Sequence, residues 1–499
     1  MKKNTFILIL LCFLFCWQVH AQTVSKESAQ HVAENFWRNQ FPQKTQSSLS
    51  VRLFEDNGQP TMYAFSSCNG WVLVAGDQRM PPILAYSDDG GGTFPEDDMP
   101  IAMQYLLDGY TAYIKALRTN RIYGEFNPQW TSYLNGDNSY PIRSVVVNPL
   151  LSRDGNENIW GQNGNNSESN PDTTKVYNKF CPPQNGCAHT KTGCAATALG
   201  QIMWYWQWPY AQKPIWNINK VVCKYDWDLM PYQLTNESTI EEANMVATLL
   251  HDIGVEENMV YGCSESYAYT DQMLNALRNK FYYSADNVIN RRDYTDSAWF
   301  NILRGELNEQ RPVIYLGEST DENHTFVIDG YDSDNKYHLN LGLKGTDNGY
   351  YNLNNVYTNG QSMIKHLRPD YEFYCSPFLV PYTDSWPTNF TVQHGGEISL
   401  WQMVFDSGMN GHIYSEESIK LLEGVYINLG ARVYMGIKGT RCGDEQAPDL
   451  APPASRQNAK TQGANNTQDT PPVNKILRNG QLYIIRGDSI YTINGVQIK

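Results

Sequence analysis

The chain has 499 residues and a formal net charge of −14, with aromatic residues at 13% and 33 tyrosines. An acidic chain with no lysine- or arginine-rich run argues against nucleic acid and against anionic membrane surfaces as partners. The length is enough for two to four domains, each able to bury a core.

Lys2 and Lys3, an apolar run from Phe6 to Trp17, and Val19-His20-Ala21 ahead of Gln22 have the layout of a cleavable secretory signal over residues 1–21. The run is shorter than the ~20 residues needed to span a bilayer, and no later stretch is long enough. The sequence therefore predicts export to a secreted or cell-surface location with no transmembrane segment. Phe13-Leu14-Phe15-Cys16 lacks the small residues expected before a lipidated cysteine, which argues against a lipoprotein. Without Cys12 and Cys16, eight of the ten cysteines remain, too few and too scattered for a disulfide scaffold of this length. Cys181 and Cys187 are close enough for a local loop disulfide. They are not a zinc pattern, because no second ligand pair follows at finger spacing, and no motif suggests a metal or an organic cofactor.

In chain order, residues 25–38 read as a helix capped by Ser25, with Ala29, Val32, Ala33, Phe36 and Trp37 on one apolar face. Strand candidates follow at Leu49–Phe54, Met62–Ser66, Trp71–Ala75 and Ile83–Tyr86, separated by turn signals. A second helix runs to about Leu117. Helix, sheet and helix over 22–119 make a complete α+β unit, and the polar stretch 120–143 reads as a linker. From 144 to about 385 the order is helices first (a helix from Ala195, then Glu241–Ile253, Thr270–Lys280 and Thr295–Asn308) and strands later (Pro312–Leu316, Thr325–Asp329, Tyr337–Asn340 and Tyr350–Leu353). That order is α+β rather than alternating and parallel. Residues 386–442 read as a small β-rich region, 443–475 as a disordered linker, and 476–499 as a hairpin, Leu482–Arg486 with Ser489–Ile493.

The chemistry centres on Gly193–Trp204. From Ala195 the apolar residues fall at helical spacing, so Cys194 stands at the start of a helix with one buried face. There the unpaired N–H groups and the positive dipole end favour a thiolate. A cysteine nucleophile also needs a base, a group to orient that base, and oxyanion donors. His324 begins a strand 130 residues downstream, and Asn340 ends the next strand 146 residues downstream, the order and separation of papain-type enzymes. His189, His251 and His338 are the other candidate bases.

With these residues in place, the sequence resembles the streptopain family of secreted bacterial cysteine peptidases, papain-like in architecture and made as zymogens. Gly193–Met203 is similar to that family's nucleophile segment and His324–Tyr331 to its histidine segment. Pro312-Val313, Tyr225–Pro231 and Asn348–Tyr351 are similar to further family blocks. Gly70–Asp77 and Pro82–Ser87 are similar to its inhibitory pro-domain. The resemblance implies Cys194 as nucleophile, His324 as base, Asn340 as the orienting group, and Gln162, in Trp160-Gly161-Gln162, as an oxyanion-hole side chain. It also implies protein or peptide substrates, and the chain's own pro-domain, 22–119, as an intramolecular inhibitor of a peptidase domain at 144–385. Cleavage between about 118 and 145, at Arg118, Arg121 or Arg143, would then activate the enzyme. Two departures stand out. Leu341 and Leu343 occupy a stretch that is tryptophan- and glycine-rich in the family, and Glu265 and Tyr267 fall in its glycine/serine-rich substrate-binding stretch. Two rivals to an endopeptidase remain: a catalytically silent surface binding or inhibitory protein, and a Cys-His amidase. Residues 476–487 are similar to the final segments of exported proteins that reach a bacterial cell surface.

Overall fold

The computed structural model describes residues 23–437 apart from breaks at 42–48, 68–69, 88–93, 95–98, 100, 136–143, 168–171, 210–224, 319–322, 355, 357–359, 371–374 and 381–387, and then 473–478, 481–486 and 489–492. The signal at 1–21, Arg143 and most of the 443–475 linker fall outside the described residues. Its helices are α1 (Lys26–Gln40), α2 (Ile101–Arg118), α3 (Gln129–Asn135), α4 (Cys194–Trp206), α5 (Ile240–Glu256), α6 (Thr270–Asn279) and α7 (Asp296–Asn308). The architecture is the mixed α+β one expected from the order of elements. Two compact units divide the chain: Met1–Pro149 with Asn290–Leu307 and Tyr315–Ser362, and Leu150–Ile289 with Asn308–Ile314 and Met363–Lys499.

The first unit is built on one long sheet. Strands β1 (Ser50–Asp56), β2 (Gln59–Ser67), β3 (Gly70–Ala75) and β4 (Ile83–Ser87) form an antiparallel meander. Ser25 caps α1 by accepting from the amide of Ser28 at 3.1 Å, and Ala29, Val32, Ala33, Phe36 and Trp37 are buried, so the period read from the sequence is the buried face. The later strands are β5 (Val145–Val147), β6 (Val313–Glu318), β7 (Asn323–Asp332), β8 (Tyr337–Asn340) and β9 (Gly349–Tyr351); β1-β2-β3-β4-β9-β8-β7-β6 are neighbours in that order within the sheet, and β5 pairs with β7. The meander and the later strands thus share one sheet through Tyr86↔Tyr350 and Ala85↔Tyr351. The Tyr86 and Tyr350 rings stack at 5.1 Å, and the Tyr86 hydroxyl donates to Asp332 at 3.1 Å. Gly330 is a glycine for a steric reason. A Cβ there would lie 2.7 Å from the carbonyl oxygen of Val147, which belongs to the strand crossing β7.

Two expectations for 118–143 change. Arg118 is not an accessible cleavage point: its guanidinium donates to Asp77 at 3.2 Å and to the carbonyls of Pro60 and Gly76 at 2.7 and 2.9 Å. The buried Asp77 carboxylate is paired with Arg79 as well. The stretch read as a linker also holds α3, whose Trp130 and Tyr133 are buried. Trp130 donates to the carbonyl of Met80 at 2.9 Å, and the Tyr133 carbonyl accepts from Asn35 at 2.7 Å.

In the second unit α4 is buried from Ala195 to Trp206. The one buried face read from the sequence is therefore a helix enclosed on all sides. Gly200 admits α5, since a Cβ there would lie 2.7 Å from Leu250. A capping box between Thr239 and Glu242 starts α5.

The same unit ends in a parallel solenoid that short strand signals alone did not reveal. Strands β10 (Phe378–Val380), β11 (Asn389–His394), β12 (Ile398–Leu400), β13 (Val404–Phe405), β14 (Asn410–Ser415), β15 (Ile419–Leu421), β16 (Tyr426–Ile427) and β17 (Arg432–Ile437) stack in coils. Phe378 pairs with Ile398 and Ile398 with Ile419; Asn389 pairs with Asn410 and Asn410 with Arg432; Val404 pairs with Tyr426, all in parallel. Val392, Ile398, Leu400, Met403, Phe405, Ile413 and Val433 fill the coils. Beyond them, β18 (Val473–Arg478), β19 (Gln481–Arg486) and β20 (Ser489–Thr492) run antiparallel, β18 against β17. The hairpin expected at 482–493 is present, and a third strand joins it to the solenoid.

Candidate active site

Cys194 is the first residue of α4, half-buried, and carries a thiol. Gly193 before it has φ +88, and a Cβ there would meet the Met259 sulfur and methyl at 2.8 Å and the Ser266 carbonyl oxygen at 3.0 Å. Only glycine turns the chain into α4 at this point. The Gly193 carbonyl accepts from the Thr197 amide and hydroxyl at 3.1 and 2.9 Å. Cys194 therefore stands at a helix N-terminus, where the first amides have no intrahelical partner.

Gln162 lies in the same unit, and the fold brings its backbone to the nucleophile segment. Its carbonyl accepts from the Thr192 amide at 3.0 Å, two residues before Cys194. Trp160 anchors that loop, fully buried and donating to the Pro231 carbonyl at 2.9 Å. On the other flank, the Lys191 amide donates to the Gly262 carbonyl at 3.1 Å, and the Ser266 hydroxyl donates to the Lys191 carbonyl at 2.7 Å. A disulfide joins Cys187 to Cys263 across the same seam. The local Cys181–Cys187 pairing read from spacing is thus replaced by a long-range one. Cys181 stays a buried thiol, and burial pushes it up to about 12. Glu265 and Tyr267, the bulky departures, lie on this seam, and Tyr267 is exposed, its ring edge-on to Tyr269 at 6.0 Å.

His324 and Asn340 lie in the first unit, on the β7–β8 hairpin. His324 is 5% exposed, and burial pushes its imidazole down to about 4, against the opposing effect of its hydrogen bond to the Leu341 carbonyl. That bond, from Nε2 to the carbonyl oxygen, is 3.2 Å; a carbonyl only accepts, so Nε2 carries the proton. The Asn340 Oδ1 accepts from the Gly342 amide at 3.3 Å, and the Leu341 amide donates to Asn348 Oδ1 at 3.0 Å. The Leu341 carbonyl, a backbone group, carries no signal in the sequence. His338 is committed elsewhere: its Nδ1 is 2.7 Å from Asp329 in a buried pair. His251 lies 3.5 Å from Asp252 and His189 3.3 Å from the Cys181 carbonyl.

Comparison with known proteins follows the same lines. Residues 172–351 match the model of the Peptidase C10 family, and residues 21–114 match that of the Spi protease inhibitor. The thiol protease/hemagglutinin PrtT of Porphyromonas gingivalis is 27% identical over 70% of this chain and 41% of its own length, so the chain spans under half of that relative. Streptopain of Streptococcus pyogenes is 29% identical over 58% of this chain and 73% of its own. The structure of prointerpain A from Prevotella intermedia is similar over 64% of this chain and 98% of that one, at 26% identity and a TM-score of 0.48. Among the described residues no helix is long and apolar enough to cross a membrane. With a cysteine at a helix start in one matched segment and an inhibitor-type segment ahead of it, the chain carries a region of the Peptidase C10 family at 172–351 behind a region of the Spi protease inhibitor type at 21–114.

Proposed function

We propose that the chain is an exported endopeptidase in which Cys194 is the nucleophile, His324 the base, Asn340 the group that orients His324, and Gln162 an oxyanion donor together with the Cys194 amide. The observation that carries this reading is the placement of Cys194 at the N-terminus of α4, behind the obligatory Gly193 and beside the Gln162 loop. The Cys194 thiol passes its proton to His324, the thiolate adds to the peptide carbonyl, and the developing oxyanion accepts from Gln162 and the backbone amide. The leaving amine takes its proton from His324; water deprotonated by His324 then releases the acyl group and regenerates the thiol.

The Spi-type domain, which we place at 22–119, acts on this reading as an intramolecular inhibitor of a peptidase domain at 144–385. Cleavage within 119–143 matures the enzyme, and Arg121 is the exposed candidate among the described residues there. The sheet shared through Tyr86 and Tyr350 supports this, because Tyr350 belongs to the hairpin system that carries His324 and Asn340. The His324–Leu341 bond is then the latent state, and maturation frees the imidazole to turn to Asn340.

The test is labelling of the full chain, before and after maturation under mild reductant, with an epoxide probe for cysteine peptidases, alongside hydrolysis of casein. Label at Cys194 with loss of about 120 N-terminal residues, absent in Cys194→Ala and lost in His324→Ala, is the expected outcome. A matured chain that takes no label and cleaves no protein would overturn the reading and leave the silent relative.

A further inference from the structure

The β7–β8 hairpin carries one residue more on β7 than β8 can match. Val327 lies opposite Asn340 and Ile328 opposite Leu339, but beyond them Gly330 lies opposite His338 and Tyr331 opposite Tyr337. Asp329 is the extra residue, a β-bulge. It is fully buried, and its Oδ1 accepts from His338 Nδ1 on the facing strand at 2.7 Å. His338 is buried as well, its ring edge-on to Tyr350 at 5.1 Å. The mechanism above uses neither residue.

The bulge decides what His324 faces. The half of the hairpin beyond it is pinned: Tyr331 pairs with Val147, a Cβ at Gly330 would lie 2.7 Å from the Val147 carbonyl oxygen, and His338 pairs with Tyr350. Suppose that half's register ran on without the extra residue. Counting back from Gly330↔His338, Ile328 would then lie opposite Asn340, where Val327 lies now. A slip of one residue turns every side chain of a strand to the other face, His324 included, and would break its 3.2 Å bond to the Leu341 carbonyl. The extra residue of a bulge is left outside the ladder, so side-chain contacts have to hold it. Here a buried carboxyl on the extra residue and a buried imidazole on the facing strand supply such a contact.

We propose that Asp329 and His338 are positioning residues: their hydrogen bond locks the β7–β8 bulge and thereby sets His324 in register with Asn340 and Leu341. The inference rests on the reading of His324 as base and Asn340 as its orienting group, and adds two residues that act on the reaction only through them.

The test uses the full chain, matured by an added protease. It measures kcat and KM on a fluorogenic peptide, and the rate of Cys194 alkylation by iodoacetamide between about pH 5 and pH 9. An imidazolium beside the thiol keeps alkylation fast at the acid end, whereas a cysteine alone reacts only near its ordinary value. His338→Leu removes the donor and should lower kcat about 100-fold, the effect of a displacement of about 1 Å. KM should change little, and acid-side alkylation should be lost. His338→Asn keeps a nitrogen donor close to the place of Nδ1 and should recover most of both. If His338→Leu does not fold, Asp329→Asn, which keeps the acceptor without the charge, should show the same pattern with kcat lowered about tenfold. Wild-type kcat in the folded variants, or a lowered kcat with an unchanged alkylation profile, would overturn the proposal. His324→Ala separates the two readings. Acid-side alkylation that persists in it overturns the base assignment itself; loss there, with an intact profile in the His338 and Asp329 variants, overturns the positioning role alone.

Discussion

The His324 imidazole donates from Nε2 to the main-chain carbonyl of Leu341 at 3.2 Å, while the neighbouring Asn340 accepts from the Gly342 amide instead. His324 is thus held neutral and buried by a backbone group one residue beyond its expected partner. Both groups belong to the β7–β8 hairpin, and the next strand, β9, pairs with β8 on one side and with β4 of the Spi-type domain on the other. On the proposed reading, the propeptide and the base are coupled through one sheet.

This arrangement fixes a pH dependence. Burial holds His324 at about 4, below its ordinary value near 6.5, so the latched form is favoured above about pH 6.5 and loses stability as pH falls towards 4. The full effect is about 3 kcal/mol. Maturation of the full chain should therefore accelerate on going from pH 7.5 to pH 5, and His324→Gln should mature under an added protease with no such dependence. An acceleration that persists in His324→Gln would assign the effect to another group.

Gly193→Ala places a Cβ 2.8 Å from Met259 and 3.0 Å from the Ser266 carbonyl at φ +88. The cost is about 1–3 kcal/mol of strain, which is relieved by moving either the 259–266 loop or the start of α4. Both displacements shift Cys194, and a misplacement of about 1 Å costs on the order of 100-fold in rate. We expect a folded protein with kcat lowered by that factor, checked by circular dichroism and single-turnover hydrolysis. Unchanged kcat would show that the turn tolerates a side chain.

What could be read from the sequence was what repeats at short range. The apolar spacing from Ala195 gave α4 and the place of Cys194, and alternation gave the β7–β8 hairpin with His324 and Asn340. Long-range partners were not legible. Cys263 lies 76 residues from Cys187, and spacing favoured the nearer Cys181. Arg118 looked exposed because nothing local announces the buried Asp77. Trp130 and Tyr133 sat in a polar stretch too short to show a helical period. The solenoid was hidden because its period of about twenty residues spans several strands, each too short to signal alone.

The Cys187–Cys263 disulfide closes a loop of 76 residues, for which chain-entropy arguments give roughly 4 kcal/mol. It also ties the 259–267 loop to the segment leading into Cys194. Strong reductant should therefore act in two ways, keeping Cys194 reduced while loosening the loop. For Cys187→Ser/Cys263→Ser we expect a Tm lower by several degrees and a raised KM with kcat less affected. A double variant whose KM is unchanged would make the bridge purely a stabiliser.

Glu257 follows α5 at the root of the same loop. It is fully buried, neither carboxylate oxygen has a hydrogen-bond partner among the described residues, and burial pushes it up to about 8. Tyr261, whose hydroxyl is also buried without a partner among the described residues, is raised by its own burial and then by Cys181, Glu257 and Asp252. A carboxyl raised from about 4.5 to 8 favours folding fully below pH 4.5, and that stability is lost at about 1.4 kcal/mol per pH unit as pH rises through 8. Glu257→Gln keeps the shape of the protonated acid without the titration. Between pH 6 and 8.5 the wild-type Tm should fall while that of Glu257→Gln stays nearly level, so that the two curves diverge with rising pH. Parallel curves would mean that the carboxyl ionises in place without cost.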